Sequence, residues 1–528
     1  MNYILTWFEG NQKLKKRKQF TNKTIQSYGF AFKQKFVGEI ESGQIIIDVI
    51  IGFETHVELK TASKLFCSCA VTYGAPQNSQ ICPVCTGQPG ALPVLNQRAV
   101  EYSIRAGLAL NCKVNLASQF ARKNYFYPDL PKGYQISQYE NPFCENGYLN
   151  IFGDDGEPYA VGIKRIHLEE DAGKMIHASE HFDKSSYSLV DYNRSGVPLL
   201  EIVGDHERNP IRSVQEARSY LEKLRQILRY TEISDCNIEK GQFRCDVNIS
   251  LRSKGSKTFG NRAEIKNMSS IKFIMEALEY EVNRQKDILQ SGGQVVQETR
   301  LFDEKKKITL PMRSKEDAPD YRYFPDPDLI EVELKPEFIE NIRNNLPVFP
   351  DERIRQLMET YRIPQDEAMV LTRDKGVADH FNEAAVDCQD HRRLARYVVN
   401  DLLKLLHEAS IPIERLKITP SNLAQLINLV SNGEITDNIG KIVLEEMFQS
   451  GSDPQTIIHQ KDLKPIQDSS TLESLLDKVL AKNPQAVELV KSGKTGSINF
   501  IIGKVMAETK GKANPQKLRE MLEKKLIE

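Results

Sequence analysis

The sequence has little of what membrane proteins and disulfide scaffolds require. Its 528 residues include nine cysteines, and no apolar run approaches the roughly 18 residues that cross a bilayer. The longest such stretch, Ile45 to Phe53, is interrupted by Asp48 and Gly52. Nine cysteines are too few for a disulfide scaffold and their number is odd, which favours a reducing compartment. We expect a soluble protein without a membrane partner.

Several common catalytic signatures are also missing. The chain has no phosphate-binding P-loop, no GxSxG nucleophile elbow and no amidase-type Ser/Lys pattern. Any chemistry on ammonia or on acyl groups therefore requires a partner protein.

Charge is distributed unevenly along the chain. The formal net charge is −1, but residues 1–47 hold eight Lys/Arg against three Asp/Glu, and residues 460–528 hold thirteen against nine. The centre is consequently acidic. This pattern suits a protein that gathers carboxylates around a metal and holds a polyanion with its tail. The alternative is a random scatter of surface charge.

The length predicts about three or four domains. Residues 1–44 form a basic extension, which we expect to be mobile, and a targeting segment is the alternative. Short apolar and alternating runs predict an α+β domain with a largely antiparallel sheet over residues 45–334. A few helical stretches interrupt it, such as Val214 to Tyr230 and Ile271 to Leu289. Helical periods predict a helical domain over 335–459 and a small helical, basic tail domain over 460–528.

Four cysteines are clustered. Cys67 and Cys69 form a CxC pair, Cys82 and Cys85 form a CPVC pair, and twelve residues separate the pairs. Thiolates at this spacing converge on one soft ion when the connecting loop can turn, which predicts a closed, structural zinc site. Four unliganded thiols in a surface loop are the alternative.

Carboxylates recur inside apolar, strand-like segments. In a strand, Glu54, His56 and Glu58 share one face. Glu169 and Glu170 follow Ile166, Glu201 lies between Leu200 and Ile202, and Asp246 precedes Val247. Buried carboxylates need partners, and mostly oxygen ligands with one imidazole favour Mg²⁺ or Mn²⁺. Such a site on a sheet is typical of phosphoryl transfer. Separate salt bridges to Arg165, Arg244 and Arg252 are the alternative.

A loop between Arg122 and Gln135 interleaves basic residues with aromatic residues and prolines. This composition favours contact with a nucleotide or an RNA end, with Lys123, Lys132 and Tyr134 as the cofactor-binding residues. A stiff, packed connection is the alternative.

Ordered segments from Ile45 to the end resemble one family. They are GFETHVELKTASKLFCSCA, CPVCTGQPGALPVLN, RKNYFYPDLPKGYQISQY, HLEEDAGK, LLEIV, FRCDVNISL, DYRYFPDPDL and NFIIGKVMAETKGKANP. Together they are similar to the B subunit of the tRNA-dependent aspartyl/glutamyl amidotransferase.

The resemblance implies a glutamine-synthetase-like catalytic cradle, a helical domain and a tail domain that binds tRNA. It implies that ATP and Mg²⁺ phosphorylate the side-chain carboxylate of Glu-tRNA(Gln) or Asp-tRNA(Asn), and that ammonia from an amidase (A) subunit then displaces phosphate. A small C subunit completes the expected heterotrimer. The residues that match the family's magnesium and nucleotide site are Glu54, His56, Glu170, Glu201 and Asp246. Lys123 and Lys132 match positions near the ammonia path.

Two functions remain open on the sequence alone. The first is an ATP-dependent subunit of a tRNA amidotransferase, and the second is a catalytically silent, zinc-stabilised RNA-binding scaffold. Ligand-type residues at all five proposed magnesium positions favour the first. We expect a cytoplasmic protein, or one in an organellar matrix if residues 1–44 are a targeting segment. The sequence does not distinguish Glu-tRNA(Gln) from Asp-tRNA(Asn).

Overall fold

A computed structural model describes residues 47–177, 187–256, 258–314, 320–463, 468–491, 496–509 and 511–526. The predicted basic extension, residues 1–44, lies outside these ranges.

A nine-stranded sheet organises the first part of the described chain. The strands are β1 (Ile47–Glu58), β2 (Lys113–Val114), β3 (Ala117–Ser118), β4 (Phe120–Asn124), β5 (Tyr134–Gln138), β6 (Cys144–Phe152), β7 (Pro158–Glu170), β8 (Lys174–His177), β9 (Ser188–Asp191), β10 (Pro198–Gly204), β11 (Phe243–Ser253), β12 (Ala263–Lys266), β13 (Glu298–Asp303), β14 (Ile308–Ser314), β15 (Phe324–Pro325) and β16 (Val332–Glu333). The order in the large sheet is β14-β13-β12-β11-β1-β10-β7-β6-β2. All its pairs are antiparallel except β12 with β13. The predicted, largely antiparallel α+β architecture is confirmed.

Strand β1 lies in the middle of this sheet, and its side chains alternate between two environments. Phe53, Thr55 and Val57 are buried, whereas Glu54 and His56 are only partly buried. The apolar side packs against three helices, α1 (Gln97–Ala109), α2 (Val214–Tyr230) and α3 (Ile271–Gln290). One such contact is the stacking of the Phe53 and Tyr220 rings, whose centroids are 5.8 Å apart. The opposite side of β1 carries the polar residues Glu54, His56 and Glu58.

The two helices predicted for this region are confirmed, whereas α1 was not predicted. Its N-terminus is capped by Asn96, whose side chain accepts hydrogen bonds from the backbone of Arg98 and Ala99. An asparagine cap within the sequence PVLNQ gives a weaker signal than a Ser or Thr followed by Glu.

Helices dominate after Val332–Glu333, as predicted. They are α4 (Pro336–Asn344), α5 (Pro350–Thr360), α6 (Gln365–Leu371), α7 (Lys375–Asp387), α8 (His391–Arg396), α9 (Leu403–Ala409), α10 (Pro420–Ser431), α11 (Asp437–Ser450), α12 (Pro454–Gln460), α13 (Ser469–Lys482), α14 (Pro484–Lys491), α15 (Gly496–Glu508) and α16 (Pro515–Leu526). A π-helical segment, Tyr397–Leu402, joins α8 to α9, and a 3₁₀ turn, Ile413–Arg415, precedes α10. Within the described residues, no helix combines the length and the apolar composition that a membrane crossing needs.

The described residues form three hydrophobic clusters. The first spans the sheet and α1 to α4, the second lies within Leu357 to Ile458, and the third lies within Leu472 to Leu522. The first and second meet where the Tyr230 hydroxyl donates to the Thr372 carbonyl at 2.6 Å. The second and third meet where the Thr436 hydroxyl donates to the Gly511 carbonyl at 2.7 Å. The domain boundaries drawn from the sequence stay predictions.

Helix α3 is fixed to the sheet edge by a buried charge. Glu281 is fully buried and accepts hydrogen bonds from Thr309 (2.9 Å) and Gln285 (3.0 Å). It also lies 3.4 Å from Arg300 Nε, and that guanidinium is nearly buried too. The carboxylate therefore compensates a cation that water barely reaches.

Replacing Glu281 with Gln should lower the free energy of unfolding by about 3 kcal/mol, because Arg284 and Arg300 both lose a buried anionic partner and, among the described residues, Arg300 keeps only Glu298. The measurement is urea unfolding followed by circular dichroism. Glu340→Gln is the matched control, since Glu340 pairs with Arg343 on an exposed helix surface and should cost less than about 1 kcal/mol. Equal losses in both variants contradict the prediction.

Candidate functional site

The polar side of the large sheet brings together side chains that are far apart in the sequence. The antiparallel register pairs His56 of β1 with Glu201 of β10, and Glu54 of β1 with Asp246 of β11. Directly opposed residues in adjacent strands point to the same side, with Cβ atoms roughly 5 Å apart. Glu54, His56, Glu201 and Asp246 therefore lie on one face of the sheet.

Strand β7 adds two residues to this face. Its register places His167 opposite Glu201, and Glu169 follows two positions later on the same side. His167 Nε2 lies 3.1 Å from Glu201 Oε2 and 3.7 Å from Glu169 Oε2. His56 Nε2 lies 3.6 Å from the same Glu201 oxygen. Two imidazoles thus flank one carboxylate.

The geometry of three of these side chains fits a metal ion. One ligand-type atom each from His56, Glu169 and Glu201 lies within 4.8 Å of the others. Two carboxylate oxygens and one imidazole nitrogen form a donor set that suits Mg²⁺ or Mn²⁺ better than a soft metal. The residues present therefore fit a magnesium ion.

Glu170 does not join this cluster. Its side chain lies on the opposite side of β7 from that of Glu169. Its Oε1 accepts a hydrogen bond from the Ile136 backbone N–H at 2.9 Å and pairs with the Lys132 ammonium. In this structure Glu170 lies apart from the group of His56, Glu169 and Glu201, and its expected role as a magnesium ligand beside Glu54, His56, Glu201 and Asp246 stays a prediction. The physical reason for this separation is the two-residue period of β7, which sends adjacent side chains to opposite sides.

Charge in the cluster shifts the titration of its members. Burial raises the pKa of Glu54, and the charges of Glu201 and Asp246 raise it further. Burial alone would raise the pKa of Glu201, but the imidazoles of His167 and His56 outweigh burial and hold this pKa well below its ordinary value. Burial would lower the pKa of His167, but the charges of Glu201 and Glu169 raise it to about 9. The carboxylate of Glu201 and the imidazole of His167 thus stabilise each other's charged forms.

Asp246 has a cationic partner of its own. Lys266 lies on β12, the strand beside that of Asp246. Its ammonium is 2.9 Å from Asp246 and 3.1 Å from Glu264, which is also on β12. Glu54 accepts a hydrogen bond from the Asn248 amide at 3.1 Å. Both acidic residues border the cluster, and their roles as metal ligands stay predictions.

The alternative interpretation, in which arginines neutralise the carboxylates in separate salt bridges, applies to Asp171. Arg244 lies 2.6 Å from Asp171, and Arg194 lies 3.5 Å from it. Arg252 pairs with Asp48 at the far end of β1. Burial and the neighbouring Asp171 raise the pKa of Glu58, also on the polar face, to about 7. Arginine pairing thus accounts for Asp171, whereas Glu169 and Glu201 face imidazoles.

The basic and aromatic loop is partly packed and partly exposed. The Arg122 guanidinium lies 4.2 Å from the Tyr134 ring centroid, and its Nε lies 2.9 Å from Asp326. Lys132 is engaged by Glu170, as described above, while Phe126 is 80% exposed. The assignment of Tyr134 and Lys132 as cofactor-binding residues stays a prediction.

Lys123 reaches toward the carboxylate cluster. Its ammonium lies 4.9 Å from the centroid of the Tyr321 ring. Burial would lower its pKa, but the charges of Glu169 and Glu201 raise it above the ordinary value. Lys123 therefore presents a positive charge beside the cluster, where an anionic group would be attracted.

A second candidate site is the group of four cysteines. One sulfur each from Cys67, Cys69, Cys82 and Cys85 lies within 4.8 Å of the others. A hydrogen bond from Cys67 lowers the pKa of Cys85 to about 4 against the effect of burial, and the Lys64 ammonium contributes. Converging sulfurs and one readily ionised thiol fit a four-coordinate zinc ion.

Sequence reasoning did not single out four residues that lie in or beside these candidate sites, namely Lys64, His167, Glu169 and Lys266. The alternation of β7 contains the signal for His167 and Glu169, because both lie on one face of the strand. The register against β10, which decides that this face meets Glu201, is not readable from the sequence. The signals for Lys64 and Lys266 are weaker still, since isolated lysines are common on surfaces.

Comparisons with known proteins agree along most of the chain. Residues 49–340 match the family model of the GatB/GatE catalytic domain, and residues 379–526 match that of the GatB domain. Among curated relatives, the aspartyl/glutamyl-tRNA(Asn/Gln) amidotransferase B subunit of Carboxydothermus hydrogenoformans is 50% identical, over 91% of this chain and 98% of the relative. The protein of the same name from Persephonella marina is 48% identical, over 90% of this chain and 99% of the relative. The chain therefore belongs to the family of aspartyl/glutamyl-tRNA(Asn/Gln) amidotransferase B subunits.

Proposed function

We propose that this protein activates the side-chain carboxylate of Glu-tRNA(Gln), Asp-tRNA(Asn) or both with ATP and Mg²⁺, so that ammonia can convert it to the amide. The observation that carries the proposal is the cluster of His56, Glu169 and Glu201 on the polar face of the sheet. The names of the relatives supply the substrate class, a misacylated tRNA.

The reaction needs an activation step because a free carboxylate has no adequate leaving group. Its oxygen attacks the γ-phosphorus of ATP, the bond to the bridging oxygen breaks, and ADP leaves. Ammonia then adds to the carbonyl of the acyl phosphate, phosphate leaves, and a proton is lost to give the amide. Mg²⁺, when bound, offsets the repulsion between the carboxylate and the phosphates.

The residues of this chain have distinct parts in that scheme. His56, Glu169 and Glu201 would hold the magnesium ion. His167, whose Nε2 lies beside the carboxylates of Glu169 and Glu201, would fix the positions of both. Lys123 attracts the anionic substrate groups toward the cluster. Glu54 and Asp246 extend the acidic surface along the sheet. The polar face of a large antiparallel sheet also supports the expected glutamine-synthetase-like cradle.

The ammonia requires a partner, because the sequence carries no amidase signature. We propose a heterotrimer with an amidase (A) subunit and a small C subunit. A zinc ion held by the four cysteines would be structural, since four thiolates leave no open coordination position. The rival function, a catalytically silent RNA-binding scaffold, predicts that loss of the carboxylates has no effect on tRNA amidation.

Replacing Glu169 or Glu201 with Gln should reduce ATP-dependent phosphorylation of the charged tRNA at least about 100-fold, because charge stabilisation by a bound metal supplies several kcal/mol. Binding of tRNA should change little. The assay is single-turnover transfer of γ-phosphate in the assembled complex. Asp48→Asn is the control, since Asp48 lies on the same strand as His56 but pairs with Arg252. Near-normal transfer in Glu201→Gln contradicts the proposal.

The purified, reduced protein should contain about one zinc per chain. The double variant Cys82→Ser, Cys85→Ser should lose the metal and unfold at a lower temperature. Metal analysis by mass spectrometry and calorimetry provide the two measurements. Cys388→Ser, which changes a buried thiol of the helical region, should keep the metal. If the wild-type protein contains no zinc, the prediction is wrong and the alternative of four unliganded thiols is favoured.

The predicted tail domain, residues 460–528, should bind the body of the tRNA. Its cluster of buried residues is separate from that of the preceding helices, so truncation removes contacts such as that of Thr436 with Gly511 but no residue of the preceding cluster. Among the basic residues of this tail, Lys504 and Lys512 are described, while Lys494, Lys510 and the side chain of Lys491 lie outside the described residues. Fewer phosphate contacts release fewer counterions, so the truncated protein should bind charged tRNA more than tenfold more weakly, with a flatter salt dependence.

Filter binding at two salt concentrations tests this role, and circular dichroism of the truncated chain controls for folding. Equal affinities of the full-length and truncated proteins at both concentrations contradict it.

A further inference from the structure

Lys64 is a fully buried lysine whose surroundings are unusual. Its side chain has no exposed surface, and its ammonium lies 3.5 Å from Cys85 Sγ and donates to the Tyr192 carbonyl at 3.2 Å. Within the described part of the chain, no carboxylate lies within ion-pair distance of it. A buried ammonium needs a nearby anion, because transfer of a lone charge from water is very costly. The sulfur of Cys85 is the group that can supply one.

The charge balance of the four-cysteine site supports this pairing. Four thiolates around one divalent zinc ion carry a net charge of −2, and Cys85 is buried while the other three cysteines are partly exposed. Water therefore screens the charge least at Cys85. Lys64 is the cation placed at that sulfur, with its ammonium 3.5 Å from Cys85 Sγ.

The same lysine is part of a dense set of contacts between the cysteine loop and a turn. Leu65 donates its backbone N–H to the Gly196 carbonyl at 2.8 Å, and the Ser195 hydroxyl donates to the Cys85 carbonyl at 3.0 Å. The Asn193 amide donates to the Pro76 carbonyl at 2.7 Å. This turn, residues 192–197, leads directly into β10, which carries Glu201. It also holds Asp171, whose backbone N–H donates to the Val197 carbonyl at 2.8 Å.

From these contacts we infer that Lys64 is a positioning residue, whose ammonium compensates the thiolate charge of the zinc site and ties that site to the turn that precedes Glu201. The inference rests on the proposed zinc site. The cysteine loop would then do more than stabilise its own surroundings. Loss of the metal would weaken the contacts that hold the turn before β10, the strand that carries Glu201.

Two substitutions separate the charge of Lys64 from its hydrogen bonds. Lys64→Gln keeps a donor of similar length without the charge, and Lys64→Met removes both. Changes to groups around a metal's ligands typically weaken metal binding 10- to 100-fold. Both variants should therefore bind zinc about 10- to 100-fold more weakly than the wild type, measured by competition with a chromophoric chelator in the full-length protein. Lys60→Met is the control, because Lys60 forms an exposed pair with Asp235 and should leave the affinity unchanged.

Stability measurements distinguish charge compensation from packing. With zinc bound, Lys64→Met should lower the thermal midpoint, whereas after chelation its effect should shrink or reverse, because the metal-free site carries less negative charge. Hydrogen exchange at residues 192–197 of the wild type should accelerate on chelation. This second measurement requires no substitution and therefore does not depend on how the variants fold.

The outcomes separate this inference from the zinc proposal. A wild-type protein without zinc overturns both. A wild-type protein with zinc overturns the inference alone if Lys64→Gln keeps the wild-type affinity, or if Lys64→Met lowers the midpoint equally with and without metal. Unchanged hydrogen exchange in the turn after chelation also overturns it.

Discussion

The candidate active site depends on the pairing of β1 with β10, which sets His56 opposite Glu201. With β1 held in place, a shift of one residue in this register would turn Glu201 to the apolar side of the sheet and Leu200 to the polar side. The packing of Phe53, Val57 and Leu200 against the core therefore fixes the position of the polar group. Burial on one side of the sheet specifies the geometry of the charges on the other.

Those charges are not balanced by arginine or lysine contacts alone. Glu201 and Glu169 face two imidazoles, and Lys123 approaches from the neighbouring small sheet. Asp171, by contrast, has two arginine partners, and Glu170 has Lys132. This difference separates acidic residues that support the structure from those available to a metal ion.

The sequence was informative where one strand determines the answer. The alternation of β1 predicted the common face of Glu54 and His56, and the spacing of the four cysteines predicted that their sulfurs converge. It did not separate Glu169 from Glu170, because two adjacent carboxylates offer the same chemistry and only the register of β7 against β10 distinguishes the sides to which they point. Lys64 was missed for a related reason, since its burial depends on contacts with a turn more than a hundred residues away.

The binding of Mn²⁺ to the full-length protein, followed by electron paramagnetic resonance in Glu169→Gln and Glu170→Gln, tests the central claim most directly. If Glu169 is the ligand from β7, Glu169→Gln should lose the bound ion while Glu170→Gln keeps an affinity close to that of the wild type. The reverse pattern, or equal retention in both variants, would contradict the account of the polar face as a metal site built on His56, Glu169 and Glu201.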